Sequence, residues 1–173
     1  MQHQLEQEHP EGLNFLRKLF CSGEINLRLN RLNEIYKVTE AKWEENIQRY
    51  LKSDLKIKYI LFGEAAPWSA DGEVNYFYNN SSGSWCRRVI SGIIPNFVSH
   101  NRGQLYSELV KKQFILIDTL PFAMEYSTKQ RKSSVYKRMI ESCSQSYLHR
   151  KLFASSLKWD ESITVGFAVK YNA

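Results

Sequence analysis

Two carboxylates in this chain follow two short apolar runs, and that repeated pattern is its clearest candidate for chemistry. Glu64 comes directly after Tyr59-Ile60-Leu61-Phe62 and Gly63, and Asp118 directly after Phe114-Ile115-Leu116-Ile117. A continuous apolar run of this length, stopped by glycine or turn residues, reads as a buried strand, so each acid should emerge just past a strand end. In open α/β sheets ligands bind outside the carboxyl ends of the strands, which gives both acids a functional position. A carboxylate there can orient water or stabilise a developing positive charge, and it can accept hydrogen bonds from a ligand. Glu64 could equally accept hydrogen bonds from loop amides, and Asp118 could cap the turn that follows it. Between the two acids lie Tyr76-Phe77-Tyr78 and Asn79. These offer flat surfaces for stacking, although in the alternating pattern of a strand at least one of the aromatics would serve the core instead.

The elements that must position these residues are read from periodicity. Residues 11–20 and 25–37 carry apolar side chains at three- and four-residue steps (Leu13, Leu16, Phe20; Leu29, Leu32, Ile35, Tyr36), as amphipathic helices do. Thr39 is expected to cap a further helix bearing Trp43, Ile47 and Leu51. After the first strand, Ser84 should begin a helix that ends near Gly92 and Pro95, residues 96–102 read as loop around His100, and residues 104–111 form another helix. The second strand follows. A strand, helices, strand order requires a crossover, so the two strands are expected to be parallel. Helix is then expected from Arg131 to about Leu157, and a third strand at 163–168. The fold class expected is a three-layer α/β/α domain with a short, mostly parallel central sheet. Residues 1–173 form a single domain in this reading, with 1–56 as its helical N-terminal part.

Composition bounds the function. With 173 residues, 43% of them hydrophobic, the chain is long enough for one sizeable core. No apolar run reaches the ~20 residues of a membrane span, and the first residues are polar and acidic, so a cytoplasmic protein without membrane attachment is expected. Cys21, Cys86 and Cys143 are widely spaced and lack histidine or cysteine neighbours at metal-ligand distance, which favours reduced thiols and no metal site. No cofactor is expected. The net charge of +6 is local: residues 129–151 contain seven Lys or Arg against the single Glu141. Arg131, Lys132, Lys137 and Arg138 in that segment, and Arg87 and Arg88 at the start of the fourth helix, are candidates for phosphate contact. The bland alternative is a solvated helix face.

Gly63-Glu64-Ala65-Ala66-Pro67 after an apolar strand resembles the first active-site motif of the uracil-DNA glycosylase superfamily, of which one subfamily has Gly-Glu-Ala-Pro-Gly there. The resemblance extends in pattern over roughly residues 40–170. It implies Glu64 as the catalytic acid, Tyr76, Phe77, Tyr78 and Asn79 as base-binding residues, and Asp118 at the place of a base-reading Asn. The match departs at three points: one extra Ala before Pro67, Asp118 in place of Asn, and no His-Pro-Ser motif.

The resemblance implies a glycosylase-like protein that binds, and in the full reading excises, a nucleobase in nucleic acid, DNA more than RNA. Such a protein belongs to DNA repair. Cleavage of an N-glycosidic bond puts positive charge on the sugar and negative charge on the base, and a carboxylate near the anomeric carbon stabilises the former. The base must first leave the stack, and an aromatic face replaces what it loses. An ionised Asp118 offers acceptors only, so uracil should be a poor ligand and Asp118→Asn should improve its binding, unless burial keeps the carboxyl protonated. Two other functions fit the same residues: a non-catalytic nucleic-acid or nucleotide-binding module of this fold, and a hydrolase of small nucleosides or nucleotides.

Overall fold

The structure is a computed structural model that describes residues 3–79, 84–95, 102–125, 133–153 and 156–168. The chain opens with three helices, α1 (Gln4–Glu8), α2 (Pro10–Leu19) and α3 (Ser22–Ser53), and then enters strand β1 (Ile57–Gly63). Helices α4 (Ser84–Ile93) and α5 (Arg102–Lys111) lead to β2 (Phe114–Asp118). Helix α6 (Ser134–Cys143) continues through a π-helical turn (Ser144–Leu148) into α7 (His149–Phe153), and β3 (Trp159–Phe167) follows. The sheet order is β2-β1-β3, and all three strands are parallel. With helices above and below, this is the three-layer α/β/α arrangement expected from the sequence.

Three boundaries differ from the sequence reading. Residues 25–37 and the segment after Thr39 are one helix of 32 residues. Thr39 does not cap it: its hydroxyl donates back to the Tyr36 carbonyl at 2.8 Å, a bond a mid-helix threonine can make without ending the helix. The buried row Leu32, Ile35, Tyr36, Trp43, Ile47 and Tyr50 carries the helix through, and Leu51, expected on that face, is exposed. Strand β3 begins four residues early because of a bulge. Ile57 pairs with Trp159 and Tyr59 with Thr164, so several β3 residues face a single β1 residue. The third helical stretch changes winding at its π turn rather than running on as one helix.

The core is one connected cluster running from Leu5 on α1 to Leu157 before β3. Strand β2 is its centre: Phe114, Ile115, Leu116 and Ile117 are all buried. Gln113, at φ 55°, turns the chain from α5 into β2, and its carbonyl accepts from the amides of Lys58 and Tyr59, which sets the register of the two strands. The outer edge of β2 is closed by tyrosines. The Tyr50 hydroxyl donates to the Phe114 carbonyl, and that of Tyr78 accepts from the Leu116 amide (2.7 Å) and donates to its carbonyl (3.1 Å). An edge strand that would otherwise offer open peptide groups is thereby satisfied by side chains. No described helix is long and apolar enough to cross a membrane.

Candidate functional site

Strands β1 and β2 are adjacent and in register to their last residues, Gly63 opposite Asp118. The segments that leave them stay together. The Gly63 carbonyl accepts from the amide and hydroxyl of Thr119, the Glu64 carbonyl accepts from the Leu120 amide at 2.9 Å, and farther on the Met124 carbonyl accepts from the Trp68 amide while the Met124 amide donates to the Ala66 carbonyl. Thr119 therefore fastens the two turns at the point where both carboxylates emerge.

Glu64 is 4% exposed, and its Oε1 accepts from the Tyr136 hydroxyl at 2.5 Å. Tyr136 is fully buried on α6, whose N-terminus is capped by the Ser133 hydroxyl accepting from the Tyr136 amide. Helix α6 is thus placed so that its first buried side chain fixes the acid of β1. Asp118 lies against the backbone of Gly63, close enough that a Cβ on Gly63 would stand 2.2 Å from Oδ1. Burial pushes the Asp118 carboxyl up to about 7; the Lys151 ammonium opposes this and the like charge of Glu64 adds to it. At neutral pH the group is divided between a form that only accepts and a form that also donates.

Lys151, on α7, is a residue that the sequence reading assigned to the basic face. It is 4% exposed, its Nζ donates to Glu40 Oε1 at 2.6 Å, and it lies 4.8 Å over the Trp43 ring and 5.0 Å over the Tyr147 ring. Tyr147 also donates to Glu40, at 3.0 Å. Arg150 is taken up beside it, donating to Glu8, Glu40 and the Tyr36 oxygen. The signal for Lys151 was its spacing, since Met139, Cys143, Tyr147 and Lys151 recur every four residues and the first three are buried. Two of the seven cations counted in the basic segment are therefore internal partners of Glu8 and Glu40. Lys137 and Arg138 remain exposed on α6, and Arg131 and Lys132 lie outside the described residues.

The aromatic triplet is placed inside the fold. Tyr76, Phe77 and Tyr78 are 5%, 3% and 2% exposed, in a turn and not a strand. Tyr78 closes the β2 edge, and Phe77 packs against Phe114 and Trp85. Burial first, and then among other causes the charge of Asp118, raises the hydroxyls of both Tyr76 and Tyr78 well above the usual tyrosine value. Asn79 is half-buried and donates its amide to the Val74 carbonyl. Arg87 and Arg88 are exposed on α4 and form no ion pair with the described residues. Burial first, and then the charge of Asp118, raises the Cys86 thiol on the same helix to about 11. Among the described residues no three His, Cys, Asp or Glu gather as a metal site.

At the strand ends Asp118 lies against Gly63 and Glu64 is held by Tyr136, while Lys151 is held by Glu40. Lys151 and Arg150 both donate to Glu40, so the carboxylate behind the lysine is answered by two cations. Neither a family model, nor a curated protein, nor a solved structure matches the chain.

Proposed function

We propose that this chain is a uracil-DNA glycosylase-like protein that receives a nucleobase of nucleic acid, DNA before RNA, at the paired ends of β1 and β2, with Glu64 as its catalytic carboxylate. The observation that supports the reading is the alignment of Gly63 with Asp118, which brings the Asp118 carboxylate against the residue before Glu64 at the shared end of two neighbouring parallel strands. Glu64 stabilises the positive charge that the sugar gains as the glycosidic bond breaks. Asp118 reads the base. Protonated, it donates to a carbonyl and accepts from a ring N–H, as an Asn amide does; ionised, it accepts from amino groups. Lys137 and Arg138, exposed on α6, and Arg87 and Arg88 on α4 supply the candidate phosphate contacts.

The test is release of uracil from a single-stranded oligonucleotide at pH 6, where Asp118 is mostly protonated. The reading expects release by the unmodified chain and none by Glu64→Gln. A second reading, a binding module without catalysis, is favoured by the closure of Glu64 under the Tyr136 hydroxyl. Base-dependent binding without release identifies that module, and absence of both rejects the nucleobase reading.

A further inference from the structure

Of the three described strands, β3 alone has no buried residue. It stands at the edge of the order β2-β1-β3, and among the described residues no strand pairs with its other side. The opposite edge, on β2, is closed by the hydroxyls of Tyr50 and Tyr78; β3 has no such closure among the described residues. From Ser162 to Phe167 it also carries neither charge nor proline, the usual guards of an open edge. The Ala168 amide donates to the Phe62 carbonyl at 2.8 Å, so Thr164, Gly166 and Ala168 turn their peptide groups to β1, and Ile163, Val165 and Phe167 turn theirs outward. The side chains of these last three share one face. Phe167 stacks on Phe62 with ring centroids 5.6 Å apart yet stays 45% exposed, Val165 beside Ile60 is 47% exposed, and Ile163 is half-buried. Parallel strands are ordinarily covered on both faces, and an edge with bare apolar side chains and outward peptide groups is a template for another strand.

We propose that the open side of β3 is a homodimer interface, in which a second copy lays its own β3 antiparallel alongside, about a two-fold axis at Val165, and joins the two sheets into one. Symmetry and charge both favour a second copy. Ile163 and Phe167 stand symmetrically about Val165, so the two-fold sets Val165 against Val165 and each Ile163 against the Phe167 of the other copy. The outward peptide groups of these same residues are the ones that exchange hydrogen bonds. The acids of β3, Asp160 and Glu161, lie together at its beginning. Antiparallel pairing carries them to opposite ends of the interface, roughly 30 Å from their copies, whereas parallel pairing would stack each acid on itself at about 5 Å. Lys170 follows Val165 in sequence by as many residues as Asp160 precedes it, so the same register matches that acid with a base. The interface uses neither Glu64 nor Asp118 and does not depend on the nucleobase reading; because the copies run antiparallel, their strand ends open in opposite directions.

The experiment is sedimentation equilibrium of the full chain over a range of concentrations, with circular dichroism to follow the fold. The unmodified chain should show a concentration-dependent dimer. Val165→Pro removes an amide that faces away from β1, a place where an edge strand accepts proline, and should leave a folded monomer. Val165→Lys sets like charges against each other at the axis and should raise the dimer dissociation constant about tenfold or more. In a Cys21→Ser background, Val165→Cys should cross-link to its own copy on mild oxidation, since the two-fold brings the Cα atoms of position 165 to about 5.5 Å from each other. Glu161→Cys, carried to opposite ends of the interface, should not. A chain that sediments as a monomer at every concentration overturns the proposal and leaves the edge to a strand of another protein. A dimer that survives both Val165→Pro and Val165→Lys overturns it too, as does a dimeric Val165→Cys that forms no cross-link. If Val165→Pro fails to fold, Val165→Lys and the cross-link decide.

Discussion

The carboxylate of Asp118 occupies the space that a side chain on Gly63 would need, with Oδ1 only 2.2 Å from where a Cβ would stand. The two residues are also register partners at the last pair of β1 and β2. Gly63 is thus glycine because of its neighbour. Gly63→Ala should destabilise the chain by about 1–3 kcal/mol, the usual cost of overpacking a filled interior. In the double variant Gly63→Ala, Asp118→Ala most of that cost should disappear, a coupling of about 1 kcal/mol or more in urea unfolding. Additive effects would mean that the Asp118 carboxylate does not lie against Gly63.

Tyr136 holds Glu64 from a helix that starts some seventy residues later in the chain. Tyr136→Phe removes that donor while keeping the ring, and should cost about 1–2 kcal/mol, since a buried carboxylate loses one of its hydrogen bonds. The cost should nearly vanish when the same change is made in a Glu64→Ala background. An equal cost in both backgrounds would assign the effect to packing.

Asp118 should make stability depend on pH in a defined direction. Burial, opposed by Lys151 and assisted by Glu64, raises its folded value to about 7, above the usual carboxylate value of 3.8. A raised value means that folding takes up a proton between those limits, so its contribution is fully present below about pH 4 and is lost as pH rises through 7. Asp118→Asn should therefore gain on the unmodified chain between pH 4 and 7 and hold a constant lead above that. Discounted for the partial exposure of Asp118, that lead is on the order of 2 kcal/mol at pH 8. Urea midpoints at pH 5 and pH 8 that differ by the same amount in both chains would contradict it.

The basic segment divides into two parts that salt can separate. Lys137 and Arg138 are exposed on α6, whereas Arg150 is bound to Glu8 and Glu40. If the exposed pair contacts phosphates, Lys137→Gln with Arg138→Gln should flatten the slope of log affinity against log salt by about 0.9 per lost contact on duplex DNA. Arg150→Gln should lower stability and leave the slope alone. Titration over a salt series distinguishes them, and an unchanged slope in the first variant removes those two residues from the interface.

The strand ends were legible because a strand covered on both faces must be apolar throughout, and the first charge after such a run marks where it leaves the core. Asp118 after β2 satisfied that rule in full; β1 leaves Tyr59 exposed, so only part of its apolar run is covered, and the two strands are parallel as the crossover required. Lys151 was not legible as a buried residue, because what admits a lysine to an interior is a counter-charge, and Glu40 lies 111 residues away in sequence. The four-residue row through Met139, Cys143 and Tyr147 pointed to it, but straight helical winding drifts off such a row; the wider π turn at Ser144–Leu148 brings Tyr147 and Lys151 back to the buried side. Tyr76-Phe77-Tyr78 was open between core and pocket wall on residue type alone. Its place was decided by the unpaired edge of β2, which needed Tyr78 more than a strand did. Thr39 was misread because capping preference is local, while the apolar row through Tyr36 and Trp43 extends across it.

The central claim, that the strand-end carboxylates take a nucleobase which Asp118 reads, is tested most directly by the affinity of the unmodified chain for a single-stranded oligonucleotide with one uracil, relative to the same strand with an abasic site, between pH 5.5 and pH 8.5. A uracil preference present at pH 6 and lost as pH rises through about 7, and kept at every pH by Asp118→Asn, is the expected result. No preference for uracil at any pH, in either form, would contradict it.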